Sequence, residues 1–129
     1  MKKIKITIWN NIGLLTILWA LIILVLCATP GSYLPTASWL EMLSFDKWVH
    51  AGLFFILTSL VFLLCFKKQW DFTYWIVLFI LTLSYGGLLE IMQALVFSER
   101  SADWQDFVAN SFGSFGALVL FKKTKVYFH

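Results

Sequence analysis

The residues of this chain that could do chemistry fall into three groups: Asp46, Lys47 and His50; Glu90 and Gln93; and Arg100, Asp103, Asp106 and Asn110. Carboxylates beside an imidazole can exchange protons with a bound molecule. Lysine and arginine can hold phosphate or carboxylate oxygens through charge-assisted hydrogen bonds. His50 with Glu90, Asp103 and Asp106 also offers the atom types that bind divalent metals. The metal reading is the weaker one, because a single histidine and no thiolate stand in these groups and no His-Glu-x-x-His motif occurs. Nor is an acyl nucleophile marked, since Ser98 and Ser101 lie in no motif. The expectation is a binding pocket with no metal and no cofactor, in which catalytic residues stay unassigned and an enzyme is the less favoured reading.

The elements that carry these residues follow from composition. The chain has 129 residues, 60% hydrophobic and only 13% charged, with a mean hydropathy of +0.82. A soluble domain carries about 25% charged residues, and a chain this short cannot hide the apolar excess in a core. These figures argue against a soluble monomer and against disorder. One domain over residues 1–129 is expected, with lipid as its solvent. The formal charge of +3 does not point to nucleic acid, because the lysines border the apolar runs and form no groove-facing stripe.

Four runs approach the roughly 20 apolar residues that a membrane-crossing helix needs: residues 8–28, 48–66, 72–97 and 104–121. The expected fold is an all-α membrane protein, a four-transmembrane-helix bundle. Lys2, Lys3, Lys5, Lys67, Lys68, Lys122, Lys123 and Lys125 collect at one side, and only Lys47 and Arg100 at the other. The positive-inside rule then puts both termini in the cytoplasm. Residues 29–47 form an outer loop, with Pro30-Gly31-Ser32 as a turn. Cys27 and Cys65 are expected at opposite faces of the membrane, too far apart to bridge.

The polar residues share a level. At about 1.5 Å per residue, His50 stands about 25 Å from Lys67, Glu90 about 28 Å from Asp71, and Asp106 about 24 Å and Asn110 about 18 Å from Lys122. Against a hydrocarbon core about 30 Å thick, that is the outer leaflet and its interface. Asp103, Asp106, Asn110, Gly113 and Ala117 fall on one stripe of the fourth run, Gly86, Glu90 and Gln93 on one stripe of the third, and Asp46 and His50 are four residues apart. Lipid cannot satisfy such groups, so they must face one another or water. Ala109, Gly113 and Ala117, widened by Gly116, repeat the small-xxx-small spacing of close helix packing, and Gly86-Gly87 offers a matching recess.

Asp46-Lys47-x-x-His50, Glu90-x-x-Gln93, then Arg100 followed by Asp106 and Asn110, with Gly113 and Gly116 after them, resembles the signature of the VanZ-like family of bacterial membrane proteins. The resemblance covers about residues 46–116. It departs from the family pattern at Ser98-Glu99, where Pro or Gly often precedes the arginine, and at Asp103, an added acid. It implies a four-helix bundle in the bacterial cytoplasmic membrane and an association with resistance to teicoplanin, a lipidated glycopeptide. It carries over no molecular mechanism.

The function expected is therefore an outward-facing pocket for the head of an envelope lipid, a lipid-linked precursor or a lipoglycopeptide. Lys47 and Arg100 would meet anionic oxygens while Asp46, Glu90 and Asp106 orient them. The alternatives are an intramembrane enzyme acting on a lipid-linked substrate, a small transporter or flippase, and a scaffold subunit. Membrane lipids are the expected partners, and a homo-oligomer is compatible with every reading. Taken singly, each residue has an ordinary explanation, such as a capping aspartate, a structural histidine or helix-joining asparagine.

Overall fold

The computed structural model describes residues 1–29, 45–97 and 104–124, nearly all of them helical. Among the described residues five helices follow in order: α1 (Lys2–Asn10), α2 (Ile12–Ala28), α3 (Phe45–Lys68), α4 (Phe72–Leu95) and α5 (Trp104–Thr124). Two of these, α3 from Lys47 and α4, are long and apolar enough to cross a membrane. A third crossing is added if α1 and α2 form one broken span.

Four uniform spans were expected, and the difference has two physical causes. The run 8–28 is not one rod, because α1 and α2 meet at an angle of 77°. Asn11 makes the break: its backbone leaves the helical region at φ −112° and ψ 21°, and its side-chain amide donates to the Thr7 carbonyl at 2.8 Å. Asparagine competes with the helical ladder in this way. Lys67 then donates to the carbonyls of Trp9 and Asn10 at 2.8 and 3.1 Å, placing a cation at the negative end of α1. The second cause is in α5. It has 21 residues, but Gln105, Asp106, Asn110, Ser111, Ser114, Lys122 and Lys123 dilute its apolarity. Helix α3 begins at Phe45, within the stretch 29–47 expected as a loop, and residues 30–44 of that stretch lie outside the described residues.

The turn between α3 and α4 is tight because α3 ends on a left-handed residue, Gln69 at φ 53°. The Trp70 N–H reaches the Cys65 carbonyl and the Gln69 N–H the Phe66 carbonyl, both at 3.1 Å. These two hydrogen bonds satisfy the Cys65 and Phe66 carbonyls at the end of the helix, so α4 returns antiparallel to α3.

Helix α3 occupies the centre, and its buried residues His50, Phe54, Leu57, Thr58, Val61, Phe62 and Cys65 recur every three or four positions. Helix α5 lies closest to it. A Cβ on Gly113 would collide with the backbone carbonyl of Ala51, so glycine is what permits this approach. Across α3 from there, the Trp19 indole donates to the Leu53 carbonyl at 2.9 Å, and the Tyr85 hydroxyl of α4 to the Ala20 carbonyl at 2.6 Å. Two apolar clusters result. Near the lysine-rich end, Phe62 packs on Trp75, Phe79 and Phe121 with ring centroids 5.2, 6.0 and 5.4 Å away. Toward the other end lie Ile23, Cys27, Phe54, Leu57 and Leu89. Cys27 and Cys65 form no disulfide and are buried in different clusters. The outer faces expose Leu14, Ile17, Val25, Ile80, Leu81 and Ile91, an apolar surface of the kind lipid covers.

Candidate functional site

The first turns of α3 and α5 and the last turns of α4 converge at the end of the bundle opposite Lys67, Lys68, Lys122 and Lys123. On α3, Lys47 and His50 are separated by one turn and so project on one side. On α5, Asp106 and Asn110 do the same. Lys47 Nζ contacts Asp106 Oδ1 at 2.5 Å. One turn deeper, His50 Nδ1 meets Asn110 Oδ1 at 2.9 Å, and its other nitrogen, Nε2, faces Asp106 Oδ2 at 3.5 Å.

Glu90 closes the group from α4. One donor atom from each of His50, Glu90 and Asp106 lies within 4.8 Å of the others. All three residues are buried, at 9%, 8% and 7% of full exposure. Lys47 keeps more contact with the surroundings, with a side chain 22% exposed. Gly86, one turn from Glu90, leaves the space in which Asn110 sits: a Cβ there would stand 3.2 Å from the Asn110 amide nitrogen and 3.2 Å from the Phe54 ring. The recess assigned to packing thus also shapes the polar cluster. A Cβ on Gly87 would stand 3.4 Å from the Phe107 ring, and one on Gly116 3.5 Å from the Phe55 ring, both in ordinary contact. Ala117 is fully buried and Ala109 half-buried.

Not every residue singled out by the sequence joins this group. Gln93 is buried, but its amide nitrogen donates to the Cys27 carbonyl at 3.2 Å. It therefore closes one of the orphan carbonyls at the end of α2, while its own oxygen finds no partner among the described residues. Of Asp46 only the backbone is described, in the first turn of α3, and Arg100 and Asp103 lie outside the described residues.

One pair was missed. Thr58 donates to Ser114 at 2.8 Å, and both residues are completely buried. Ser114 continues the spacing of Asp106 and Asn110 by another four residues, and Thr58 is eight residues from His50, so the signal was periodicity alone. The α3–α5 seam is thus polar from Lys47–Asp106 through His50–Asn110 to Thr58–Ser114. Beyond it the aromatic cluster of Phe62, Trp75 and Phe121 takes over. A groove of about 300 Å³ opens at that far end, lined by Phe62, Phe72, Trp75, Phe79 and Lys122. It shares no residue with the polar cluster.

Burying such groups is expensive. A buried ion pair seldom stabilises a fold more than apolar side chains of the same volume would, and ionisable groups at membrane depth mark functional sites by default. No family model matches the chain, nor does any curated protein or solved structure.

Proposed function

We propose that this chain is a multi-pass protein of a bacterial cytoplasmic membrane, a VanZ-like four-helix bundle with both termini inside. Its polar cluster at the outer end would receive the anionic head of an envelope amphiphile, either a lipid-linked precursor or a lipoglycopeptide. In this reading α5 crosses as the fourth span, its polar stripe turned toward α3 and away from lipid, and the α1–α2 pair crosses as one bent span. Lys47 supplies the cation for a phosphate or carboxylate oxygen, joined by Arg100. Asp106 holds Lys47 until the ligand arrives, and His50 and Glu90 accept or donate hydrogen bonds to hydroxyls. The carrying observation is the ammonium of Lys47, 22% exposed, held on the buried Asp106. A partly exposed cation at the rim of a buried polar cluster can meet the oxygens of an anionic headgroup.

A second reading, an enzyme acting on a lipid-linked substrate, is favoured by one contact. Asn110 orients the His50 ring so that Nε2 points at a carboxylate, as in a base held by its partners. Transport by a single copy draws less support, because the polar seam stops at Thr58–Ser114. Teicoplanin resistance is proposed as an associated trait and not as the activity.

Native mass spectrometry of the protein released from bacterial membranes tests the primary reading. A co-purifying anionic lipid is expected in the wild type and is lost when Lys47 and Arg100 are both changed to Gln. Equal lipid occupancy in the double variant defeats it. Turnover of lipid-linked substrates by the wild type, abolished in Glu90→Gln, would instead favour the enzyme.

A further inference from the structure

The sequence reading set metal aside because only one imidazole stood among the polar residues. The fold changes the terms, since it brings donor atoms from α3, α4 and α5 to one point. The geometry points to a divalent transition-metal site formed by His50 Nε2 and the carboxylates of Asp106 and Glu90. It goes beyond the headgroup reading and does not rest on it.

Three features carry it. The first is spacing. Two ligand atoms bound to one zinc at about 2.1 Å in a tetrahedron stand about 3.4 Å apart, and His50 Nε2 and Asp106 Oδ2 are 3.5 Å apart. Glu90 brings an oxygen inside a triangle whose sides do not exceed 4.8 Å. A side-chain rotation of about an ångström therefore completes the set.

The second is the ring nitrogen that faces the other way. Asn110 Oδ1 stands 2.9 Å from Nδ1, and an amide oxygen can only accept, so Nδ1 carries a hydrogen. Nε2 is then the nitrogen left for a ligand on the Asp106 side. Its 3.5 Å gap to Asp106 Oδ2 is wider than a charge-assisted N–H···O bond and close to the separation of two atoms bound to one ion. A carbonyl-type oxygen on the far nitrogen is also what orients most metal-binding histidines. The third is Lys47, whose ammonium meets Asp106 at Oδ1, while Oδ2 is the oxygen that faces His50.

One imidazole and two carboxylates are borderline donors that suit zinc, manganese or iron(II) better than the softer copper(I). Three protein ligands also leave a coordination position for water or an anionic oxygen from outside.

The test uses the full chain in detergent micelles or nanodiscs, stripped with chelator and titrated with Zn²⁺ alone. One zinc per chain is expected to survive desalting. His50→Gln and Asp106→Asn should each weaken binding at least ~10-fold, and Asn110→Ala by ~10–100-fold, the range for loss of an orienting partner. Lys47→Gln, which removes a competing cation, should bind zinc at least as tightly. Substoichiometric binding by the wild type, or unchanged affinity in His50→Gln and Asp106→Asn, overturns the site, as does loss of zinc in Lys47→Gln. Should those variants fail to fold, Co²⁺ loaded into the wild type decides. Intense visible absorption of a four- or five-coordinate ion supports the site, and the weak spectrum of hexa-aqua cobalt overturns it.

Discussion

His50 and Asn110 meet at 2.9 Å between two helices, with no other polar residue of either helix between that contact and the Lys47–Asp106 pair above it. The two contacts are stacked along one seam, and Asp106 belongs to both because its second oxygen faces His50. Losing any member therefore leaves a buried polar atom behind, so each change is felt by its neighbours.

The direct consequence concerns Asn110. Replacing it with Leu removes the partner of His50 Nδ1 in a site only 2% exposed. An unsatisfied buried donor costs about 1–3 kcal/mol. The variant is expected to unfold at lower denaturant concentration than the wild type in detergent, whereas Asn110→Gln, which keeps an amide, should recover part of the loss. Equal stability of Asn110→Leu and wild type would show that the contact does not hold.

Lys47 and Asp106 should couple. The pair is neither fully buried nor fully exposed, with side chains 22% and 10% exposed. Its contribution then falls between the roughly 0–1 kcal/mol of a surface pair and the roughly 3–5 kcal/mol lost on breaking a buried one. Asp106→Asn should cost more than Lys47→Met, because the Asp106 carboxylate faces the His50 ring as well as the Lys47 ammonium. A double-mutant cycle by reversible unfolding in detergent measures this. Additive single effects would mean that the two side chains do not interact.

Which parts of this could be read in the sequence follows from what spacing encodes. Periodicity along one helix placed Asp106 with Asn110, and the positions of the lysines separated a cationic end from the polar end. Neither signal gives the angle at which helices cross. Hence Glu90 and His50 were expected at one level, but the donor atoms of His50, Glu90 and Asp106 within 4.8 Å were not foreseen, and metal was passed over. Gln93 shares the stripe of Glu90 yet turns toward α2, because the Cys27 carbonyl at that helix end needs a donor. The break at Asn11 was missed for a related reason: an average over 20 apolar residues cannot register one side chain bonded to its own backbone. Apolarity also overstated α5, in which Asp106, Asn110 and Ser114 are matched across the seam while Gln105, Lys122 and Lys123 are exposed.

That break makes a prediction of its own. Lys67 binds the Trp9 and Asn10 carbonyls, and Asn11 draws its amide back to Thr7. Asn11→Leu removes the competing side chain and should straighten α1 onto α2 when combined with Lys67→Met. The distance between spin labels at Lys3 and Lys68 should then change in pulsed electron paramagnetic resonance. A distribution identical to the wild type would show that the bend comes from packing and not from these bonds.

The sharpest contrast is between two glycines of α5. At Gly113 an added methyl would overlap the Ala51 carbonyl, which is backbone and has no rotamer to escape into. At Gly116 it would rest on the Phe55 ring at 3.5 Å, an ordinary contact. Overpacking of the first kind costs about 1–3 kcal/mol, and here the cost has a second component. Relieving it requires α5 to move off α3, which pulls Asp106 and Asn110 away from Lys47 and His50. Gly113→Ala should therefore lower both unfolding resistance and whatever ligand or metal binding the wild type shows, while Gly116→Ala changes neither by more than about 0.5 kcal/mol. Titration and denaturation of the two variants side by side would decide it. If Gly113→Ala bound and unfolded like Gly116→Ala, close contact between α3 and α5 would not be what builds the site.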